Sequence, residues 1–399
     1  MSLHDDALGL APELVRLRHD LHRFPETGLA LPRTQERVLQ ALDGLPLEVS
    51  QGSALSSVTA VLRGGRPGPA VLLRGDMDGL PVVEKAPLPF AADNGAMHAC
   101  GHDLHTTMLA GAAHLLAARR EQLHGDVVFM FQPGEEGWNG AGAMLAEGVL
   151  DAAGRHPVAA YALHVTSAGP HGEFSSRRGP VMAASGTLRV TVHGAGGHGS
   201  VPHRAKDPIP AACEMVTALQ TMVTRHFDVF DPVVVTVGLL QAGTQRNIIP
   251  ETAHFEATVR TFSAEAQAKV ADISVELVRA IAAAHGLRAE VEYLPEYPVT
   301  VNDGAETDFL ADTVREALGE ERFQTMPNPM TGSEDFSRVL DAVPGSLVWL
   351  GAAPKGVDPE VLPVNHSPYA EFDDAVLADG AALYAELATR RLAAGDLAA

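Results

Sequence analysis

A chain of 399 residues exceeds what a single hydrophobic core commonly organises, so two domains are expected. With 46% apolar and 20% charged residues it has the balance of a folded globular protein and not of a disordered or fibrous one. A formal charge of −21 with no offsetting basic run excludes nucleic acid and an anionic membrane as partners, although one buried Arg could still recognise a small carboxylate.

The chain opens MSLHDDALGLAPELV, with acids where a secretion signal would carry Lys or Arg, and no apolar run is long enough to span a bilayer. Only two cysteines occur, Cys100 and Cys213, which predicts a reducing, cytoplasmic setting. From about residue 10 to 185, short apolar runs alternate with helical patterns, as in an α/β sheet covered on both faces. AVLLRGDMD, DVVFMFQPGEE and AAYALHV each begin as a strand and pass directly into acids or His, which places chemistry at strand ends. Between 186 and 297 the period changes to two in GTLRVTVHG and HFEATVRTF. With VVVTVGLL, RAEVEYL and two intervening helical stretches, the order reads β-α-β-β-α-β, a ferredoxin-like unit. After 298 the first style returns, with a helix at DFLADTVREALG, a strand at SLVWLGAA and a last helix near ADGAALYAELATRRLA. The predicted architecture is a discontinuous, mostly parallel-sheet domain, 1–185 with 298–399, carrying an inserted domain over 186–297.

MHACGHDLHTT gathers His98, Cys100, His102, Asp103 and His105 into one predicted loop, with Thr106 placed to cap the helix that follows. Such a density of soft and borderline donors suits zinc, cobalt or manganese. Taken singly, a buried thiol and hydrogen-bonded loop histidines explain these residues as well. Glu135 and Glu136 follow a strand, where unpaired carboxylates need cations; because neighbours point apart, one can bind metal while the other acts as general base. A solvated turn is the plain alternative. His164 ends another apolar strand and His366 sits in a turn-rich loop, and each gains meaning only from the others. Asp76 and Asp78 end a strand, able to contact metals or orient their ligands, with turn formation the equal alternative for Asp76.

RGDMDGLPV, HACGHDLHTT, QPGEEGWNGA, HGAGGHGSVPH, NIIPE, TGSEDFS and NHSPYAEF together resemble the aminoacylase and carboxypeptidase-like metallopeptidase superfamily, in order and through almost the whole chain. They look closest to its amidohydrolase branch, which includes hippurate hydrolases, N-acyl-amino-acid amidohydrolases and auxin-conjugate hydrolases. The resemblance implies Cys100, His102, Glu136, His164 and His366 as ligands of two divalent ions (zinc, manganese, cobalt or nickel), Glu135 as the base and Asp78 as a support of both. It implies that the inserted domain is a lid and dimerisation domain, giving a homodimer or a tetramer, whose His198 reaches a partner's active site. Asn247 and Arg260 match substrate-contacting lid residues.

The implied reaction is metal-assisted hydrolysis of an N-acyl amino acid to a carboxylic acid and a free amino acid. Glu135 takes the proton of the attacking water, metal and His198 stabilise the oxyanion, and Glu135 returns the proton to the leaving amine. A dipeptidase or carboxypeptidase uses the same chemistry. A catalytically silent metal-binding protein on this fold would be expected to have lost the base or a ligand, and none is missing.

Overall fold

A computed structural model describes residues 2–394. The chain divides into two compact units, the larger holding residues up to Val181, Val301–Asn328 and those from Asp335 on, the smaller Met182–Thr300 and Pro329–Glu334.

The larger unit opens with α1 (Leu3–His22), started by a capping box in which Ser2 Oγ accepts from the Asp5 N–H and the Asp5 carboxylate accepts from the Ser2 N–H. There follow α2 (Pro32–Ala41), β1 (Leu47–Gln51), β2 (Val58–Leu62), β3 (Arg66–Asp76), α3 (His102–Ala118) and β4 (His124–Gln132). The short α4 (Glu135–Trp138) and α5 (Gly140–Ala146) lead to β5 (Ala159–Thr166), β6 (Phe174–Ser176) and β7 (Gly179–Met182). The smaller unit contributes β8 (Ala184–His193), β9 (Gly197–His198), α6 (Pro208–His226), β10 (Val233–Ala242), β11 (Ile248–Ile249), β12 (Thr252–Thr261), α7 (Ala264–Ala284) and β13 (Arg288–Pro295). The chain ends with β14 (Thr300–Asn302), α8 (Gly304–Leu318), β15 (Phe323–Thr325), α9 (Ser337–Leu340), β16 (Gly345–Gly351) and α10 (Leu377–Ala394).

The main sheet runs β1-β2-β4-β3-β5-β16-β6-β15. Its centre, β4-β3-β5-β16, is parallel throughout, while the pairs β1–β2, β2–β4 and β16–β6 are antiparallel. Central strands covered on both faces need apolar residues at every position, which is why they read as continuous runs and not as alternations. Parallel direction also brings the carboxyl ends of β3, β4 and β5 to one edge. α3 and α10 lie side by side against β3, and α1 packs on both.

Tyr384 of α10 marks the point where β3 and β5 part. Their ladder ends with Arg74 opposite Ala162, and the buried phenol then donates to Arg74 O at 2.6 Å and accepts from the Leu163 N–H at 2.8 Å.

In the smaller unit the strand order is β10-β12-β8-β13, antiparallel throughout, the ferredoxin-like arrangement that the β-α-β-β-α-β pattern predicts. Leu188, Val190 and Val192 alternate into its core with Phe255 and Val259, where Met215 and Leu219 of α6 and Val270 and Val278 of α7 cover them. Two features have no counterpart in the sequence pattern. β9 and β11 form a separate two-stranded ribbon. Pro329–Glu334, expected in the larger unit, belongs to the smaller one, because the Ala183 N–H donates to both Met330 O and Gly332 O, a backbone attachment that side-chain periodicity does not record. Among the described residues no helix is long and apolar enough to cross a membrane.

Replacing Tyr384 by Phe removes, in a dry interior, the hydroxyl that donates to Arg74 O and accepts from the Leu163 N–H. The expected cost is about 1–3 kcal/mol, read as a lower denaturant midpoint at unchanged slope. An unchanged midpoint would show that the two backbone groups find each other once the hydroxyl is gone.

Candidate metal centre

β3 ends at Asp76, and two residues later Asp78 turns its carboxylate toward the end of β4. There its two oxygens accept the backbone N–H groups of Glu135 and Glu136, at 3.0 and 3.1 Å. The Glu-Glu segment is not a regular helix: Glu136 has φ −70°, ψ 70° and Gly137 has φ 82°, ψ 6°. One side chain thus fixes the backbone of both glutamates, through N–H groups that no helix has claimed.

Cys100 and His102 are separated by Gly101, which stands at the N-cap of α3 with φ 84°. A Cβ there would sit 2.3 Å from Val165 Cγ2, so both the left-handed backbone and the close approach require glycine. The loop expected here is shorter than its motif suggests. His102, Asp103 and His105 already lie in α3, and Thr106 caps nothing: inside the helix, its hydroxyl donates to Asp76 O at 2.7 Å. The left-handed glycine starts the helix without a side-chain cap, five residues earlier than the Thr106 signal suggests.

Five residues expected to bind metal, and the expected base, converge. Cys100, His102 and His164 offer ligand atoms within 4.8 Å of one another, as do Cys100, Glu136 and His366, and as do His102, Glu135 and Glu136. Cys100 Sγ lies 3.5 Å from His164 Nε2, and His366 Nε2 lies 3.1 Å from Glu136 Oε1. Two donor sets sharing one thiol suit two neighbouring cations of the zinc or manganese type. The fit is supported by His102, whose two buried ring nitrogens make no well-formed hydrogen bond and lie 3.6 Å from the Asp76 and 3.4 Å from the Asp78 carboxylate. His366 has φ 71°, one of two non-glycine residues in this region among those described, and its N–H donates to Ala99 O at 2.9 Å.

The electrostatics favour cations. Cys100 and Glu136 raise His366 to about 10. Burial alone would strip the proton from His102, but Asp76, Asp78 and Cys100 hold it well above the ordinary histidine range. Protons bound this tightly occupy positions where a metal ion would bind instead. His164 is the complement: burial, with His105 and His102 beside it, holds it neutral, and because Nδ1 donates to Val165 O at 2.8 Å, the Nε2 lone pair faces Cys100.

Behind these groups the remaining buried charges are paired within the protein. Asp76 meets Arg74 Nη1 at 2.7 Å and accepts from His105 Nδ1 at 2.6 Å, while His105 Nε2 accepts the Val165 N–H at 2.8 Å. Asp76 is therefore neither a turn former nor an isolated ligand. Arg74 continues to Gln132 and Asp335, and Asp335 accepts from Gln132 Nε2 and the Ala141 N–H. Asp103 accepts from Arg18 Nε at 3.0 Å and His22 Nδ1 at 2.9 Å, and the far side of His22 meets Glu84 at 3.0 Å. Burial would lower His22, yet those two carboxylates raise it to about 9. His98, buried and shifted down to about 3 by its burial, joins none of the donor sets. Asn365 ties the His366 loop to β5, its Oδ1 accepting from the Ser167 N–H and its Nδ2 donating to Val165 O. Of these supports, Arg74, Asp76, Asp78, Asp103, His105, Gln132, Asp335 and Asn365 stand in the motifs quoted above, whereas Arg18, His22 and Glu84 carry no local signal.

The smaller unit places the other three candidates separately. His198 is exposed on β9, where its Nδ1 accepts from the Ser200 N–H and is 2.9 Å from Ser200 Oγ. Asn247 lies beside it, its carbonyl accepting from the Gly199 N–H at 2.9 Å. Arg260 lies near the far end of β12, bonded to Thr258 Oγ1 and Val259 O. Eight residues of strand separate it from Thr252 at the near end, a span of roughly 26 Å.

Residues 72–390 match the model of "Peptidase family M20/M25/M40". The chain is 34% identical to thermostable carboxypeptidase 1 of Saccharolobus solfataricus, over 97% of this chain and 98% of that one. It is 35% identical to N-acetylcysteine deacetylase of Bacillus subtilis, over 94% and 96%. A solved Bacillus subtilis structure, a dinuclear metal-binding peptidase of the M20 family, superposes with a TM-score of 0.82 at 31% identity, covering 96% of this chain and 99% of the other.

Because Asp78 fixes both glutamate backbones, Asp78→Ala should weaken metal binding about 10–100-fold, measured by competition with a chelating dye from the metal-free state. Wild-type affinity in that variant would show that the turn holds its shape without the clamp.

Proposed function

The chain belongs to peptidase family M20/M25/M40, and from that premise we propose that it is a metal-dependent amidohydrolase that releases a carboxylic acid and a free amino acid from N-acyl amino acids. The observation that carries the reading is the convergence of the Glu135 carboxylate with His102 and Glu136, beside two donor sets that share Cys100. The similarity to an N-acetylcysteine deacetylase supports the acyl amino acid as substrate.

Two divalent ions held by Cys100, His102, Glu136, His164 and His366 supply Lewis acidity at the scissile carbonyl. Glu135, buried and held through its backbone by Asp78, takes the proton of the attacking water and delivers it to the leaving amine. Glu136, its immediate neighbour, points to His366 and is left to the metal. A net charge of −21 implies no polyanionic partner and does not select among small substrates.

The lid residues support a homodimer. Arg260 and Asn247, separated by the length of β12, do not meet on one substrate carboxylate within one chain. They can do so if Arg260 comes from one subunit and His198 and Asn247 from the other. β10 is an edge strand with Val234, Leu239 and Leu240 exposed, an open edge that a second copy would cover.

The similarity to a carboxypeptidase favours a second substrate class, peptides, which are themselves N-acyl amino acids. Parallel assays on hippurate, N-acetyl amino acids and dipeptides separate the two.

Glu135→Gln should keep two metal ions per chain by elemental analysis and lose on the order of a hundredfold or more in turnover. Near wild-type turnover would remove Glu135 from its role. For the dimer, Glu135→Ala and His198→Ala are unfolded and refolded together. If His198 acts across subunits, about a quarter of wild-type sites return, because half the dimers are mixed and each has one intact site. A mixture no more active than its parts would end that proposal.

A further inference from the structure

His164 alternates along β5 with Leu163 and Val165, which turn into the core, and the parallel register sets Trp349 of β16 directly beside it. The two rings meet with centroids 4.4 Å apart and planes inclined by 37°. His105 approaches the same imidazole edge-on at 4.6 Å. The bond from Nδ1 to Val165 O fixes one edge of the ring, and the two ring contacts limit its rotation out of plane. Trp349 is only 7% exposed, and its indole N–H has no hydrogen-bond partner among the described residues. Burying an unpaired N–H is unfavourable, and an aliphatic residue on this strand would fill the space without it. Core filling alone does not account for a tryptophan at this position.

We propose that Trp349 is a positioning residue of the metal centre: its indole holds the His164 imidazole in the plane that directs Nε2 to the ion shared with Cys100. The proposal rests on the metal reading above. It makes Trp349 a reporter of occupancy, since the protein has one other tryptophan, the exposed Trp138.

In Trp138→Phe, titration of the metal-free protein with cobalt(II) should quench the remaining emission and saturate with the ion, whereas zinc(II), with its filled d shell, should quench little. Trp349→Ala and Trp349→Leu should bind cobalt about 10–100-fold more weakly by dye competition, with Trp349→Phe, which keeps an aromatic face, recovering most of the affinity. A role confined to packing would lower the unfolding temperature of the metal-free variants and leave their affinity unchanged, which would overturn the proposal. If the Ala variant does not fold, the comparison of Leu with Phe decides alone. If cobalt binds at two per chain by elemental analysis and Trp349 emission does not move, the proposal fails while the metal reading stands. If no cobalt binds, both fall.

Discussion

The larger unit is organised around one constraint, that several acids and a thiol are buried at the ends of adjacent strands and need positive charge there. Isolated buried anions are unfavourable enough that a protein pairs them, protonates them or binds cations. This chain divides its anions into two layers. The outer layer, Asp76, Asp103 and Asp335, is matched inside the protein by Arg74, Arg18, His22 and His105. The inner layer, Cys100 and Glu136, is met by imidazoles and by no arginine among the described residues, and those histidines either hold protons unusually tightly or lose them. The division itself argues for metal, because the means to neutralise the inner layer with arginine were present one layer away and were not used.

The backbone makes the division possible. Four parallel strands bring their carboxyl ends to one edge. Between Cys100 and His102, whose donor atoms converge, the glycine takes a conformation and a proximity to Val165 that a side chain would forbid. At the two adjacent glutamates, Asp78 takes both backbone N–H groups and so fixes the turn from which the two side chains depart. The helix that begins at His102 then supports the site from behind through Asp103, which α1 grips with Arg18 and His22.

What was legible in the sequence follows from these reasons. The strands could be read because burial on both faces demands apolar runs, and the inserted unit because one-sided burial demands alternation. The convergence of Cys100, His102 and Glu136 could be anticipated because each stands in a short motif dense in unusual residues. The start of α3 was misread because the cap signal of Thr106 stands inside the helix, while the true start depends on a left-handed glycine that looks like any other loop glycine. Arg18, His22 and Glu84 were missed for a different reason. Each is an ordinary charged residue locally, and its meaning comes from a partner 62 to 85 positions away along the chain. The attachment of Pro329–Glu334 to the smaller unit is carried by backbone groups alone, which every residue but proline offers alike.

The smaller unit adds an argument about assembly that motifs cannot supply. His198 and Asn247 share one ribbon, so a substrate that meets either is near both. Arg260 is separated from them by a continuous strand, and a strand held in the middle of a four-stranded sheet does not fold back to close that span. If all three residues serve one substrate, the length of β12 requires them to come from two chains. Catalytic competence is then tied to association, and the exposed edge of β10 becomes a condition for activity rather than a surface left over from folding.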